Sequence, residues 1–387
     1  MRKIAVVTTS RADYGHLYQP LKAMQAHKDL DPRLIVVGPH LSPEFGHTAV
    51  EIERDGFAIE AKLECLLSSD SDVGMAKTIG LATLSLADTL ATMRPDILLL
   101  IADRYEMLAP ASVALALRIP IAHIEGGEVS EGAIDDAVRN ALTKMSHIHF
   151  VPTRQARRRV IAMGEEAWRV HQSGAPSLDN LTRREPVSRQ QLEQRLGLEI
   201  DPNAVVVAYH PVTLSKNTVG EADALFEALA QIKQQIVFCF PNADAGSRNL
   251  IRRAEGFCAG RDKASLHINL QHMDYWGLIS HSGMLLGNSS SGIMETPSLA
   301  LPTVNIGLRQ KGRERAANII DCEPQTEAIL EAVNKGLEPG FRKALAGMTN
   351  PYGAGNAGEL IADILATAPM EDLLLKKAVP EDQLPEC

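Results

Sequence analysis

Asp103, Glu125 and Asp135 are the residues whose type and placement most directly suggest chemistry. Asp103 follows the apolar run 97–102, Glu125 follows 119–124, and Asp135 opens the periodic stretch 134–144. A carboxylate at the end of a buried strand is held rigidly at the edge where parallel sheets bind ligands. A second chemical signal lies far along the chain. Gly287-Asn288-Ser289-Ser290-Ser291-Gly292-Ile293-Met294-Glu295 follows the apolar run 284–286 and leads into helical spacing. Unpaired N–H groups at a helix start suit a phosphate, and Ser289 and Ser290 add hydroxyl donors. Glu295 could accept hydrogen bonds from a ribose. A serine simply capping a helix explains the same residues.

Other polar residues sit at the same kind of position. Arg11 follows the first strand, and Arg104 follows Asp103. Glu125-Gly126-Gly127-Glu128 is a sharp turn with a carboxylate at each end, and its glycines allow close backbone approach. Asp135 and Arg139 are four apart and share a helix face; a plain surface ion pair is the other reading. His210-Pro211 ends the run 205–209; proline cannot continue a central strand, so the histidine stands at the exit. The loop 241–247 carries Asn242, which could hydrogen-bond a base or a sugar. Arg309 heads a cationic stretch with Lys311 and Arg313, suited to a diphosphate or to solvent. Likewise Asp103 could merely cap the next helix and Arg11 could be a solvated turn residue.

The elements that must position these residues alternate between short apolar runs and longer helical patterns. Strands are expected at 4–9, 34–38, 97–102, 119–124 and 147–151, then at 205–209, 236–240, 266–269, 284–287 and 303–305. Helices are expected at 73–93, 134–144 and 357–366, among others. Such a rhythm predicts parallel sheets covered on both faces. Gly174 to Asn180, followed by the charged run 183–186, reads as a linker. The expected class is α/β, with two Rossmann-like doubly wound domains facing a cleft. Domain one spans 1–178, domain two 179–350, and a helix and tail 351–387. Ligands of such sheets sit at the carboxyl ends of strands.

Composition narrows the class further. The 387 residues are 45% hydrophobic and 22% charged, with a net charge of −9, which argues against a nucleic-acid surface. No run approaches the 18 apolar residues needed to span a membrane. The N-terminus reads as a first strand and not as a signal peptide. Five scattered cysteines without a CxxC pair argue for a reducing, cytoplasmic setting and against a zinc site. GxGxxG is absent, so a standard dinucleotide fingerprint is missing.

Taken together, the chain resembles the hydrolysing UDP-N-acetylglucosamine 2-epimerases of sialic-acid-type sugar biosynthesis, which have a glycosyltransferase-B-like fold. The segments carrying the likeness are Ser10-Arg11-Ala12-Asp13-Tyr14, Asp103-Arg104, His123 to Glu128, Ile134-Asp135-Asp136 with Arg139, His210-Pro211-Val212-Thr213, Gly287-Asn288-Ser289-Ser290, Glu295, and Arg309-Gln310 with Gly312-Arg313. Ala102 stands where that family usually has glycine. The resemblance implies proton removal at sugar C2 with anti elimination of UDP, then hydration of a 2-acetamidoglycal to the free 2-epimer. It implies that Asp103, Glu125 and Asp135 are the acid/base carboxylates and that His210, Ser289, Ser290 and Arg309 hold the diphosphate. By the same resemblance Glu295 holds the ribose, while Arg11 and Arg104 line the cleft. No metal or redox cofactor is implied; the partners are a UDP-sugar and further copies of the chain, as a homodimer or homotetramer. The substrate is expected to be UDP-N-acetylglucosamine, with a UDP-2,4-diacetamido-2,4,6-trideoxyhexose as the alternative. A glycosyltransferase of the same fold is the reading from another class.

Overall fold

The computed structural model describes residues 1–43, 47–67, 71–129, 134–183, 187–210, 218–240 and 247–377. They form two compact units: the described residues of Met1–Glu128, Ala133–Asn180 and Tyr352–Cys387, and those of Val129–Gly132 and Leu181–Pro351.

The first unit holds a seven-stranded parallel sheet of β1 (Arg2–Thr8), β2 (Leu30–Val37), β3 (Ile59–Leu63), β4 (Ile97–Ile101), β5 (Ile121–Ile124), β6 (Ile148–Val151) and β7 (Val170–Gln172). Its order is β3-β2-β1-β4-β5-β6-β7. All five residues of β4, Ile97-Leu98-Leu99-Leu100-Ile101, are buried, as expected of a central strand with helices on both faces. The second unit holds a six-stranded sheet of β8 (Val205–Ala208), β9 (Ile236–Phe240), β10 (Ala264–Ile268), β11 (Met284–Gly287), β12 (Thr303–Ile306) and β13 (Ile319–Cys322). Its order is β10-β9-β8-β11-β12-β13. Every recorded strand pair is parallel, so both units are doubly wound α/β. Among the described residues no helix is long and apolar enough to cross a membrane.

Three strands escape the sequence reading, and all lie at sheet edges: β3, β7 and β13. Their side chains are half exposed, so they lack the continuous apolar signal of inner strands. Strand β2 begins four residues earlier than expected and includes Pro32. That proline pairs with Ile4 of β1, whereas β3 joins the ladder only from Leu34, so the missing N–H faces no partner strand.

The expected linker at 174–180 is a structural element instead. Ser177–Arg183 is a helix, and Leu178 and Asp179 are fully buried. Ala175 donates to the Tyr352 carbonyl at 2.7 Å. The Asp179 carboxylate accepts from the backbone N–H groups of Ala357 (2.9 Å) and Gly358 (2.7 Å), at the start of the helix Ala357–Thr367. A carboxylate on unpaired N–H groups at a helix start is favourable. The C-terminal helix therefore belongs to the first unit, against the helix Arg11–Ala26. The compact units divide between Asn180 and Leu181. Residues 184–186 of the expected linker lie outside the described residues.

Candidate functional site

In the first sheet the winding direction reverses between β1 and β4. The exits of those strands flank the crevice where doubly wound sheets hold ligands. Arg11 opens the helix after β1, Asp103 and Arg104 follow β4, and Glu125 follows β5 next to it. Asp103 is bound by the buried Arg139 from the helix Ile134–Met145. Arg139 also approaches Asp136 at 3.9 Å. Among the described residues its ion pairs run to these two carboxylates and not to Asp135, so the alternative reading of a plain surface i,i+4 pair does not hold. Asp135 occupies the first turn of that helix and is partly exposed.

Glu125 adopts φ +67 and its N–H donates to the Phe150 carbonyl at 2.8 Å. A left-handed backbone at a non-glycine residue is uncommon and clusters at functional positions. His16, from the helix after β1, places Nδ1 2.8 Å from the Glu125 carboxylate. The turn that follows is closed by Gly127 at φ +77: a Cβ there would stand 2.4 Å from the Ala156 carbonyl oxygen. Glu128 is buried beyond it. Behind the exit, His123 faces the Ala102 carbonyl at 2.8 Å, and burial pushes its pKa down to about 4, so it is neutral at pH 7.

Arg104 donates to Glu106 at 2.6 Å; burial opposes its charge, but the Glu106 carboxylate more than compensates and raises its pKa. Buried Asp13 accepts from the Thr9 N–H (3.1 Å) and hydroxyl (2.6 Å), and burial raises its pKa against the pull of Arg104. Arg11 lies further out, 3.4 Å from Glu51, with both side chains exposed.

In the second sheet the reversal falls between β8 and β11. Gly287 ends β11 at φ +148, where a Cβ would stand 2.0 Å from the Ala208 carbonyl, so only glycine lets the two strands close up here. Asn288 comes next and is fully buried. Its Oδ1 accepts from the His210 N–H at 2.7 Å and its Nδ2 donates to the His210 carbonyl at 2.8 Å. Its own carbonyl accepts from Arg309 and Gln310, each at 2.9 Å. One asparagine thus gathers the exits of β8, β11 and β12. Burial and then Arg309 push His210 down to about 4. Arg309 is itself lowered, by partial loss of water and by Arg313.

The helix expected after the serine turn is one turn only, Ser291–Met294, followed by a 3₁₀ segment, Thr296–Leu299, that carries Pro297. Ser290 has helical backbone and makes no capping bond, while Ser289 Oγ accepts weakly from the Ser291 N–H at 3.4 Å. The macrodipole of so short a helix is small. Glu295 accepts from the Ser291 hydroxyl and, at 3.2 Å, from Trp276 Nε1. Asn242 lies outside the described residues.

Sequence reasoning missed His16 and the role of Asn288. The signal for Asn288 was an amide directly after a strand-ending glycine, in a position with no room for solvent. His16 carried no local signal, since its partner is 109 residues away.

Residues 22–366 match the UDP-N-acetylglucosamine 2-epimerase family, and the chain belongs to that family. It is 35% identical to UDP-N,N'-diacetylbacillosamine 2-epimerase (hydrolyzing) of Legionella pneumophila over 97% of this chain and 99% of the relative. It is 38% identical to GDP/UDP-N,N'-diacetylbacillosamine 2-epimerase (hydrolyzing) of Campylobacter jejuni, over 83% of this chain and 84% of that one. Among solved structures, the UDP-GlcNAc 2-epimerase of Neisseria meningitidis bound to UDP-GlcNAc superposes with a TM-score of 0.80, at 19% identity, over 94% of this chain and 99% of the other. The two doubly wound units are those of the glycosyltransferase-B-like fold.

Proposed function

We propose that this protein is a hydrolysing 2-epimerase whose substrate is UDP-N,N'-diacetylbacillosamine, a UDP-2,4-diacetamido-2,4,6-trideoxyglucose. Its products are UDP and free 2,4-diacetamido-2,4,6-trideoxymannose. The observation that carries the substrate is the end-to-end likeness to the Legionella relative of that name, at 35% identity. This reading takes up the diacetamido sugar that the sequence offered as the alternative to UDP-N-acetylglucosamine.

In this reading the first unit handles protons. Asp103, Glu125 and Asp135 act at C2, where one carboxylate takes the proton as the C1–O bond to UDP breaks. The resulting 2-acetamidoglycal gains water at C1 and a proton at C2 on the opposite face. Arg11, Arg104, Glu128 and Arg139 orient the substrate and the carboxylates. The second unit receives the departing UDP. His210, Ser289, Ser290 and Arg309 bind the diphosphate, Glu295 the ribose, and Asn242 the base or sugar. Stabilising the charge on a leaving diphosphate calls for cations and directed donors, and Arg309 supplies a guanidinium whose recorded partner is a neutral carbonyl.

Incubation with UDP-N,N'-diacetylbacillosamine, its GDP counterpart and UDP-N-acetylglucosamine, in D₂O and followed by NMR, tests the reading. The expected result is UDP release from the first, with deuterium at C2 of a free manno sugar. Faster turnover of UDP-N-acetylglucosamine would overturn the substrate. Retention of the original C2 hydrogen would overturn the elimination chemistry.

A further inference from the structure

Epimerisation by deprotonation and reprotonation on opposite faces uses two different groups, and each ends the cycle with one proton too many or too few. Each must be reset by solvent before the next turnover. For Glu125 that is a problem, because its side chain is only 11% exposed. His16 lies against it, with Nδ1 2.8 Å from Oε1, and is itself 32% exposed. The pair joins a buried carboxylate to water through one imidazole, whose two nitrogens can pass a proton along.

Among the described residues, nearby charged groups have recorded partners of their own. His123, on the same strand, faces the Ala102 carbonyl at 2.8 Å and the Thr143 hydroxyl at 3.5 Å. Arg139, from the helix Ile134–Met145, is bound to Asp103 and approaches Asp136. Along the His16 helix, Asp13 is held by Thr9, and Arg11 pairs with Glu51.

We infer that His16 is a positioning and proton-relay residue that resets Glu125 between turnovers. In the resetting step a solvent proton binds His16 Nε2, the Nδ1 proton passes to Glu125 Oε1, and the imidazole is neutral again; the reverse sequence empties Glu125. No net charge is stored, and no other reagent is needed. The inference rests on the acid/base role proposed for Glu125.

The test uses the full chain with UDP-N,N'-diacetylbacillosamine. In His16→Ala and His16→Asn, kcat should fall by about tenfold to a hundredfold, the lower range for proton transfer, with KM within about twofold of wild type. Asparagine keeps a donor near the Nδ1 position but cannot carry a proton. Millimolar imidazole should restore turnover in His16→Ala and leave wild type unchanged. His16→Asn turning over within about threefold of wild type would overturn the relay, as would failure of imidazole to rescue His16→Ala. A second readout needs no activity: NMR titration of the His16 ring should shift downward by about one pKa unit in Glu125→Gln, through loss of the paired charge. An unchanged titration overturns the pairing itself. Wild type that releases UDP from none of the sugars defeats the proposed function, and the titration still decides the pair.

Discussion

The two sheets present their strand exits in the same geometry but hold the polar groups there in opposite ways. In the first unit several of these groups are held by charged or titratable partners: Asp103 by Arg139, Arg104 by Glu106, and Glu125 by His16. In the second unit the groups are tied to neutral partners. The Asn288 carbonyl receives both Arg309 and Gln310, and the Asn288 amide grips the His210 backbone. Arg309 and Arg313 are close enough to depress the Arg309 pKa. A carboxylate held by a fixed partner has its orientation set in advance. A guanidinium whose recorded hydrogen bond is to a neutral oxygen keeps its charge uncompensated by that bond.

The largest effect that would break this division concerns the carboxylates. Asp103→Asn, Glu125→Gln and Asp135→Asn should each lower kcat by at least about a hundredfold, while UDP affinity by calorimetry stays within about threefold. Near-normal turnover in two of the three, with circular dichroism unchanged, would remove the proton chemistry from the first unit.

The converse substitution comes next. Arg309→Ala should weaken UDP by about 1.5–3 kcal/mol, the range for charge-assisted hydrogen bonds. Unchanged calorimetric affinity would move the diphosphate elsewhere.

Acid should also separate the two units. His40, His123 and His147 in the first, and His210 in the second, have pKa values lowered to about 4, chiefly by burial. Each is neutral when folded at pH 5 but takes up a proton on unfolding. Their contribution is thus present above pH 6.5 and is lost as pH falls toward 4, at about 1.4 kcal/mol per pH unit for each. Hydrogen exchange at pH 7 and pH 5 should show the first unit losing more protection than the second. Ring signals titrating near 6.5 in the folded protein would contradict the sign.

The smallest effect tests the backbone at the β4 exit. Ala102 sits at φ +58 and its N–H donates to the Ile124 carbonyl at 2.9 Å. A left-handed alanine is strained by about 1–2 kcal/mol. Part of that strain should be recovered in Ala102→Gly, offset by the greater chain entropy of glycine. A gain of about 0.5–1 kcal/mol in chemical denaturation, with kcat within twofold, is expected. A loss of stability would show that the methyl contributes packing that outweighs its strain.

Much of this molecule was legible from residue patterns. The inner strands β1, β4, β5, β8, β9 and β11 announced themselves, because burial on both faces demands unbroken apolar runs. Their polar followers Asp103, Glu125, His210 and Ser289 were equally visible, since the residue after such a run must stand at the ligand edge. Edge strands β3, β7 and β13 were not, for half-exposed strands share their composition with loops.

Local pattern therefore determined the class of fold and the residues offered at its exits. Tertiary structure alone decided the partnerships. Arg139 turns to Asp103, 36 residues away, and past Asp135 on its own helix; His16 meets Glu125 across 109 residues. Asn288 ties together exits that lie 78 and 21 residues from it, and Asp179 recruits a helix 178 residues downstream. Periodicity reports which face of an element is buried. Which partner waits on that face is set by strand order and close packing, and those exist only once the whole sheet has formed.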